Sequence, residues 1–109
     1  MFFSLFVQGD SLKFNSDLIL KVAAQDNDSV VTMIDGNSYQ ADESYEDVKL
    51  ALAAEPFIEL TADDAPVLVN KKGIIFAAPV NNGADSTLML INGEELSLDE
   101  GFAALSAML

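Results

Sequence analysis

"SVVTMIDGNSYQADESYEDV" occupies positions 29–48, and "STLMLINGEELSLDEGFAAL" follows at 86–105. The two stretches align without a gap from Ser29/Ser86 to Leu52/Leu109. Six of the 24 aligned positions are identical: Ser29/Ser86, Ile34/Ile91, Gly36/Gly93, Asp42/Asp99, Glu43/Glu100 and Leu52/Leu109. Elsewhere the chemical type is kept, as at Val31/Leu88, Met33/Leu90, Tyr45/Phe102 and Val48/Leu105. Upstream, "FFSLFVQGDSLKFN" faces "FIELTADDAPVLVN". "NSDLIL" faces "NKKGII" once two extra residues in "VNNGAD" are allowed. The chain therefore reads as a single domain, 1–109, made of two repeats, 1–54 and 55–109. A period of about 55 residues lies just above the range of open solenoids, and only two copies exist. The expectation is one pseudo-two-fold domain.

Each unit reads as five strands and a helix. At its centre, Asp35-Gly36 or Asn92-Gly93 separates two strand-like runs, a pairing that suits a type I′ hairpin turn with positive φ at both central residues. A helix follows each hairpin. Asp42 and Asp99 stand where an N-cap is expected, and Glu43 and Glu100 add charge that favours a helix start. Tyr45, Val48 and Leu52, like Phe102, Leu105 and Leu109, are spaced to form one apolar stripe. The earlier strands are "SLFV" with "SLKFN", "IELTA" with "PVLVN", then "LILKVAA" and "IIFAAPV". Pro66 opens its strand, where a missing N–H does little harm, and Pro79 suggests an edge or a bulge. The fold class expected is α+β, mostly β, in two tandem β-β-β-β-β-α repeats.

The central runs "VVTMI" and "TLMLI" are apolar on both faces, where a half-covered strand would alternate. One face can pack on its own helix. The other needs the second repeat or another subunit, since large exposed apolar patches are rare on monomers.

Composition narrows the chemistry. The 109 residues suit one compact domain, and half of them are hydrophobic, enough for a core. There is no Cys, no His and no Arg. Thiolate catalysis, His triads, Cys- or His-ligated metal and arginine fingers are excluded within one chain. The net charge is −13, from 18 acidic residues and five Lys. Such a field repels nucleic-acid backbones and anionic membranes and favours basic partners. "MFFSLFVQGD" lacks the basic start of a signal peptide, and no run approaches a membrane span. A cytoplasmic location is therefore expected.

Three clusters are candidate sites. "QDNDS" (25–29) offers Asp26, Asn27 and Asp28 to a cation but lacks the EF-hand pattern, and it reads as a polar hairpin loop. "NKKG" (70–73) is too small for a nucleic-acid footprint. "DESYEDV" places Asp42, Glu43, Glu46 and Asp47 within two helical turns, and the second unit has Ala103 and Ala104 in place of the last two. That asymmetry marks Asp42, Glu43, Glu46 and Asp47 as a partner-binding acidic patch. No catalytic residue, metal or cofactor is expected.

Each unit resembles the small flagellar-operon proteins of the FlbD type, in which "LNxxxI" leads through strands to "TNGxxY" and a capped helix. Asn15, Ile19, Gly36 and Tyr39 carry the match here; in the second unit Leu96 replaces the Tyr and Gly73 interrupts the start. In strand order and in its "DG" hairpin the unit is also similar to the LytTR-type DNA-binding domain. Both resemblances imply a β-rich unit ending in a helix. The LytTR likeness implies DNA binding, which the charge and the absence of Arg oppose. Two functional expectations follow. The first is a non-enzymatic interaction or structural module that self-associates as a homo-oligomer. The alternative is an acidic, phage-type inhibitor that mimics nucleic acid and binds a basic protein partner. Neither nucleic acid nor membrane is expected as a partner.

Overall fold

The computed structural model describes residues 1–52 and 56–109, so the boundary expected between 54 and 55 lies outside the described residues. Ten strands and two helices are present among them. In chain order they are β1 (Phe2–Val7), β2 (Asp10–Asn15), β3 (Ile19–Gln25), β4 (Asp28–Met33), β5 (Ser38–Ala41), α1 (Tyr45–Ala51), β6 (Phe57–Ala62), β7 (Ala65–Asn70), β8 (Ile74–Val80), β9 (Asp85–Leu90), β10 (Glu95–Leu98) and α2 (Phe102–Met108). The α+β, mostly β class is thus as expected. Every element of the first half has a counterpart in the second, 55 residues on as far as β3/β8 and 57 residues on from β4/β9. Even the bulge recurs, between Ile19 and Lys21 in β3 and between Ile74 and Phe76 in β8.

Three antiparallel sheets are stacked along a rod of 46 × 24 × 23 Å. The hairpin β1-β2 is one layer, the five strands β5-β4-β3-β7-β6 the middle one, and β10-β9-β8 the third. One face of the middle sheet, with Ile19, Val22, Val31 and Leu68, packs against Leu5 and Phe14 of the hairpin and Tyr45, Val48 and Leu52 of the α1 end. The opposite face, with Leu20, Leu60, Val67 and Val69, packs against Leu88, Leu90 and Leu98 of the third sheet and Leu105 of α2. Strand alternation explains the division, because Val67 and Val69 point one way and Leu68 the other.

The middle sheet joins the halves. β3 pairs with β7 across the chain midpoint: Lys21 faces Val69, Val22 faces Leu68 and Ala23 faces Val67. The ladder stops one residue short of Pro66, which has no N–H to give. A two-fold axis relating the halves would also pair β8 with β2. Among the described residues β8 pairs with β9 alone and β2 with β1 alone. The expected pseudo-two-fold relation is corrected on this ground: the halves follow one another in an open, head-to-tail manner. Pro79 lies in β8, which is an edge strand, as its sequence suggests.

Two local expectations are also corrected. At Asp35-Gly36 and Asn92-Gly93 only the glycines take positive φ, +92° and +89°. The Gly36 N–H donates to Met33 O at 3.0 Å and the Gly93 N–H to Leu90 O at 2.9 Å. Each connection is a type I turn followed by a left-handed glycine, the usual longer hairpin loop. Asp35 and Asn92 accept from the N–H groups of Asn37 and Glu94, both at 2.9 Å, as Asx turns do. Positive φ at both central residues occurs instead at Gln8-Gly9 and Asp63-Asp64. The helix caps, too, are not the aspartates. Ser44 caps α1, accepting from the Asp47 N–H at 3.2 Å, and Gly101 precedes α2.

Leu20 is fully buried, and a Cβ built on Gly73 would lie 2.3 Å from its Cδ1. Gly73→Ala should therefore destabilise the chain by about 1–3 kcal/mol through overpacking. Leu20→Ala should cost about 2–5 kcal/mol. In the Leu20→Ala background the cost of Gly73→Ala should largely vanish, because the two side chains share one space. Urea unfolding of the four variants in the cycle checks this.

Candidate functional site

The carboxylates at each helix entry are architectural. Asp42 Oδ2 accepts from the Gly9 N–H at 3.1 Å, and both Glu43 oxygens accept from the Phe6 N–H at 3.0 and 3.1 Å. In the second half Asp99 Oδ2 accepts from the Asp64 N–H and Glu100 Oε1 from the Thr61 N–H, both at 2.9 Å. Each pair ties the preceding hairpin to the helix that follows. Of the expected acidic patch, Asp42 and Glu43 use oxygens in these ties, Asp42 staying exposed and Glu43 half-buried, while Glu46 and Asp47 are exposed on α1.

Charge is divided unevenly along the strands, with Asp17, Asp35 and Glu94 sharing the end that holds the lysines. The β1-β2, β3-β4, β6-β7 and β8-β9 turns carry Asp10, Asp26, Asp28, Asp63, Asp64 and Asp85, and Asp42 and Asp99 are hydrogen-bonded to the first and third of these turns. No lysine lies in any of them. β7 runs away from the Asp63-Asp64 turn, so Lys71 and Lys72 fall at the opposite end of the middle sheet. Lys21, near the start of β3, is ion-paired with Glu94 there.

A three-residue network crosses between the halves. The Tyr45 hydroxyl donates to Glu59 Oε2 at 2.8 Å, and Lys49 Nζ stands 2.9 Å from the same oxygen. Lys49, then Tyr45, hold the Glu59 carboxyl below its usual range. Burial, reinforced by the Glu59 hydrogen bond, pushes the Tyr45 hydroxyl well above the ordinary tyrosine range. The bond to Glu59 raises Lys49.

A groove of about 680 Å³, within the range of small-molecule sites, lies beside the β1-β2 hairpin. Phe2, Leu12, Phe14, Leu18, Met33 and Tyr39 are among its walls, with Lys13, Asn15 and Asp35 as polar members. Phe14 and Tyr39 meet edge to face at 5.6 Å. None of these residues stood out in the sequence as a site. The groove forms only when the β1-β2 hairpin is laid against the β4-β5 turn, and no local pattern announces that. Among the described residues no group of three acidic side chains is placed to hold a metal ion. No helix there is long and apolar enough to cross a membrane.

No protein-family model and no curated protein matches the sequence. Among solved structures the chain is similar to the LytTr DNA-binding domain of a putative methyl-accepting/DNA response regulator from Bacillus cereus. The TM-score is 0.70 at 13% identity, over 96% of this chain and 92% of that one. The chain therefore has the LytTR-type fold. This likeness corrects the functional expectations. The same architecture serves in a domain described as DNA-binding, so net charge alone does not exclude nucleic acid as a partner. The readings as a self-associating interaction module, as a homo-oligomer or as an acidic mimic with a basic protein partner are not retained. For the run "VVTMI" in β4 the motive for self-association is met within the chain, because both faces of the middle sheet are covered.

The network around Glu59 makes stability depend on pH at both extremes. A tyrosine held above its unfolded pKa contributes fully below about pH 10, and that contribution is lost as the pH rises. A carboxyl held below its unfolded pKa contributes above about pH 4.3, and that contribution is lost on acidification. Tyr45→Phe should cost about 1 kcal/mol at neutral pH. It should also reduce the loss of stability above pH 10, as measured by urea midpoints across the pH range.

Proposed function

We propose that this chain is a non-enzymatic, DNA-contacting domain on the LytTR scaffold, with its contact confined to the lysine-bearing end. The observation that carries the reading is the fold likeness over nearly the whole chain, which supports it by analogy of fold. The long axis of 46 Å exceeds the length of one turn of B-DNA, about 34 Å. Charge dictates how such a contact must be made. The turns rich in aspartate must face away from the duplex, and few phosphates can be neutralised. A cytoplasmic location agrees with this reading. So does a history in which the two halves are copies of one FlbD-like unit, since both keep the same strands, the same turn chemistry and the same carboxylate ties to the preceding hairpin.

Fluorescence anisotropy with a labelled duplex of about 30 base pairs tests the reading. With two lysines engaged, the slope of log affinity against log salt should be about −2, far shallower than for strongly basic domains. Binding should be detectable at about 20 mM salt and lost in the Lys71→Glu/Lys72→Glu variant. No change in anisotropy at that salt, with or without Mg²⁺, would overturn it.

A further inference from the structure

The second half contains a filled socket whose counterpart in the first half is open. Leu20 reaches it from β3 and packs in the cluster of Val67, Val69 and Leu90, directly over Gly73. Beside it, the Ile19 carbonyl accepts from Asn70 Nδ2 at 2.8 Å. β3 thus delivers a branched aliphatic group and, next to it, a carbonyl oxygen.

Counted back by 55 or 57 residues, the positions that form this socket are Leu12, Phe14, Met33, Leu18 and Asn15, and all five line the 680 Å³ groove. No strand of the described residues fills it as β3 fills the other. Asn15 Oδ1 accepts from the Asp17 N–H at 3.1 Å, just as Asn70 Oδ1 accepts from Lys72, but Asn15 Nδ2 donates to nothing among the described residues. Lys13 also lines the groove, and among the described residues it enters no ion pair, in a chain with 18 acidic residues. The open socket therefore combines apolar walls with two donors that lack acceptors, beside the Asp35 carboxylate, whose two oxygens accept from Asn37.

We propose that this groove binds a small branched-chain aliphatic carboxylate. Leu12, Phe14 and Met33 take the branched group, as Val67, Val69 and Leu90 take Leu20. Lys13 and Asn15 Nδ2 take the carboxylate, where Asn70 takes the Ile19 carbonyl. A second copy of the chain is the competing occupant, because Ile75 is the counterpart of Leu20 and is 59% exposed on β8. Leu18 argues against it. Leu20 needs a glycine beneath it, and in the open socket that position carries a leucine, so a side chain held on a strand along the same path would collide. A free molecule can shift to avoid Leu18. The inference rests on the correspondence of the two halves and does not depend on DNA binding.

The test is a titration of the full chain with 4-methylpentanoate, followed by backbone and side-chain amide NMR. Saturable shifts are expected at the Asn15 side-chain amide and at Leu12, Phe14 and Met33, with millimolar affinity. Lys13→Gln should weaken the acid about tenfold and leave the neutral 4-methylpentanamide unchanged. Shifts that do not saturate, or that spread over apolar residues elsewhere such as Ile75, would overturn the proposal. So would equal loss of acid and amide in the variant, or sedimentation showing that a second copy already covers the groove.

Discussion

The pairing of β3 with β7 is the contact on which the rest of the structure depends. It joins residues some 45 positions apart, so it costs more loop-closure entropy than any hairpin in the fold. That cost is offset by burial on both sides of the strand. Lys21, Val22 and Ala23 complete the ladder, while Leu20 is driven into the second half and Val22 into the first. Without this pairing the chain would be two two-stranded hairpins and two three-stranded sheets, none with a cover on both faces. With it, one five-stranded sheet acquires a cover on each face. The glycine at position 73 is part of the same contact, because any side chain there would occupy the space that Leu20 fills.

What was legible in the sequence is what local chemistry specifies. The hairpins betray themselves through Gly36 and Gly93, and the helix stripes through Tyr45, Val48 and Leu105. The repetition of both gives the order of elements. Finer readings went astray where two local uses of one residue compete. An aspartate before a helix can cap it or can reach a neighbouring hairpin, and Asp42 and Asp99 do the second because Ser44 and Gly101 sit closer to the first turn. Asp35 can enter a type I′ turn or make an Asx turn to Asn37, and it does the latter. Non-local matters left no trace. Gly73 read as an interruption of a pattern, whereas its role is set by a leucine 53 positions earlier. Lys13 drew no reading and Asn15 only a family resemblance, because the groove they line exists only after two layers have been stacked.

The acidic composition is also less uniform in meaning than its total suggests. Asp42, Glu43, Asp99 and Glu100 accept backbone N–H bonds that hold the hairpins, and Glu59 and Glu94 are paired with lysines. Those carboxylates would be needed whatever the protein binds. Asp10, Asp26, Asp28, Asp63, Asp64 and Asp85 gather at the turns of one end of the strands, while Lys71 and Lys72 lie at the other with Asp17 and Asp35. The charge of −13 is therefore spread unevenly along the strand direction.

Differences between the two halves are where selection for something beyond folding should be sought, since the matching elements carry the same architectural load. Val67 and Leu12, Val69 and Phe14, and Gly73 and Leu18 occupy corresponding places, yet one set encloses a strand and the other lines an open groove. A socket kept only as a remnant gains nothing from a lysine and an amide donor at its polar side, and exposing Phe2, Leu12 and Leu18 to water is unfavourable. The open groove instead sets its apolar walls beside Lys13, Asn15 and Asp35, where the second half sets its own around Leu20.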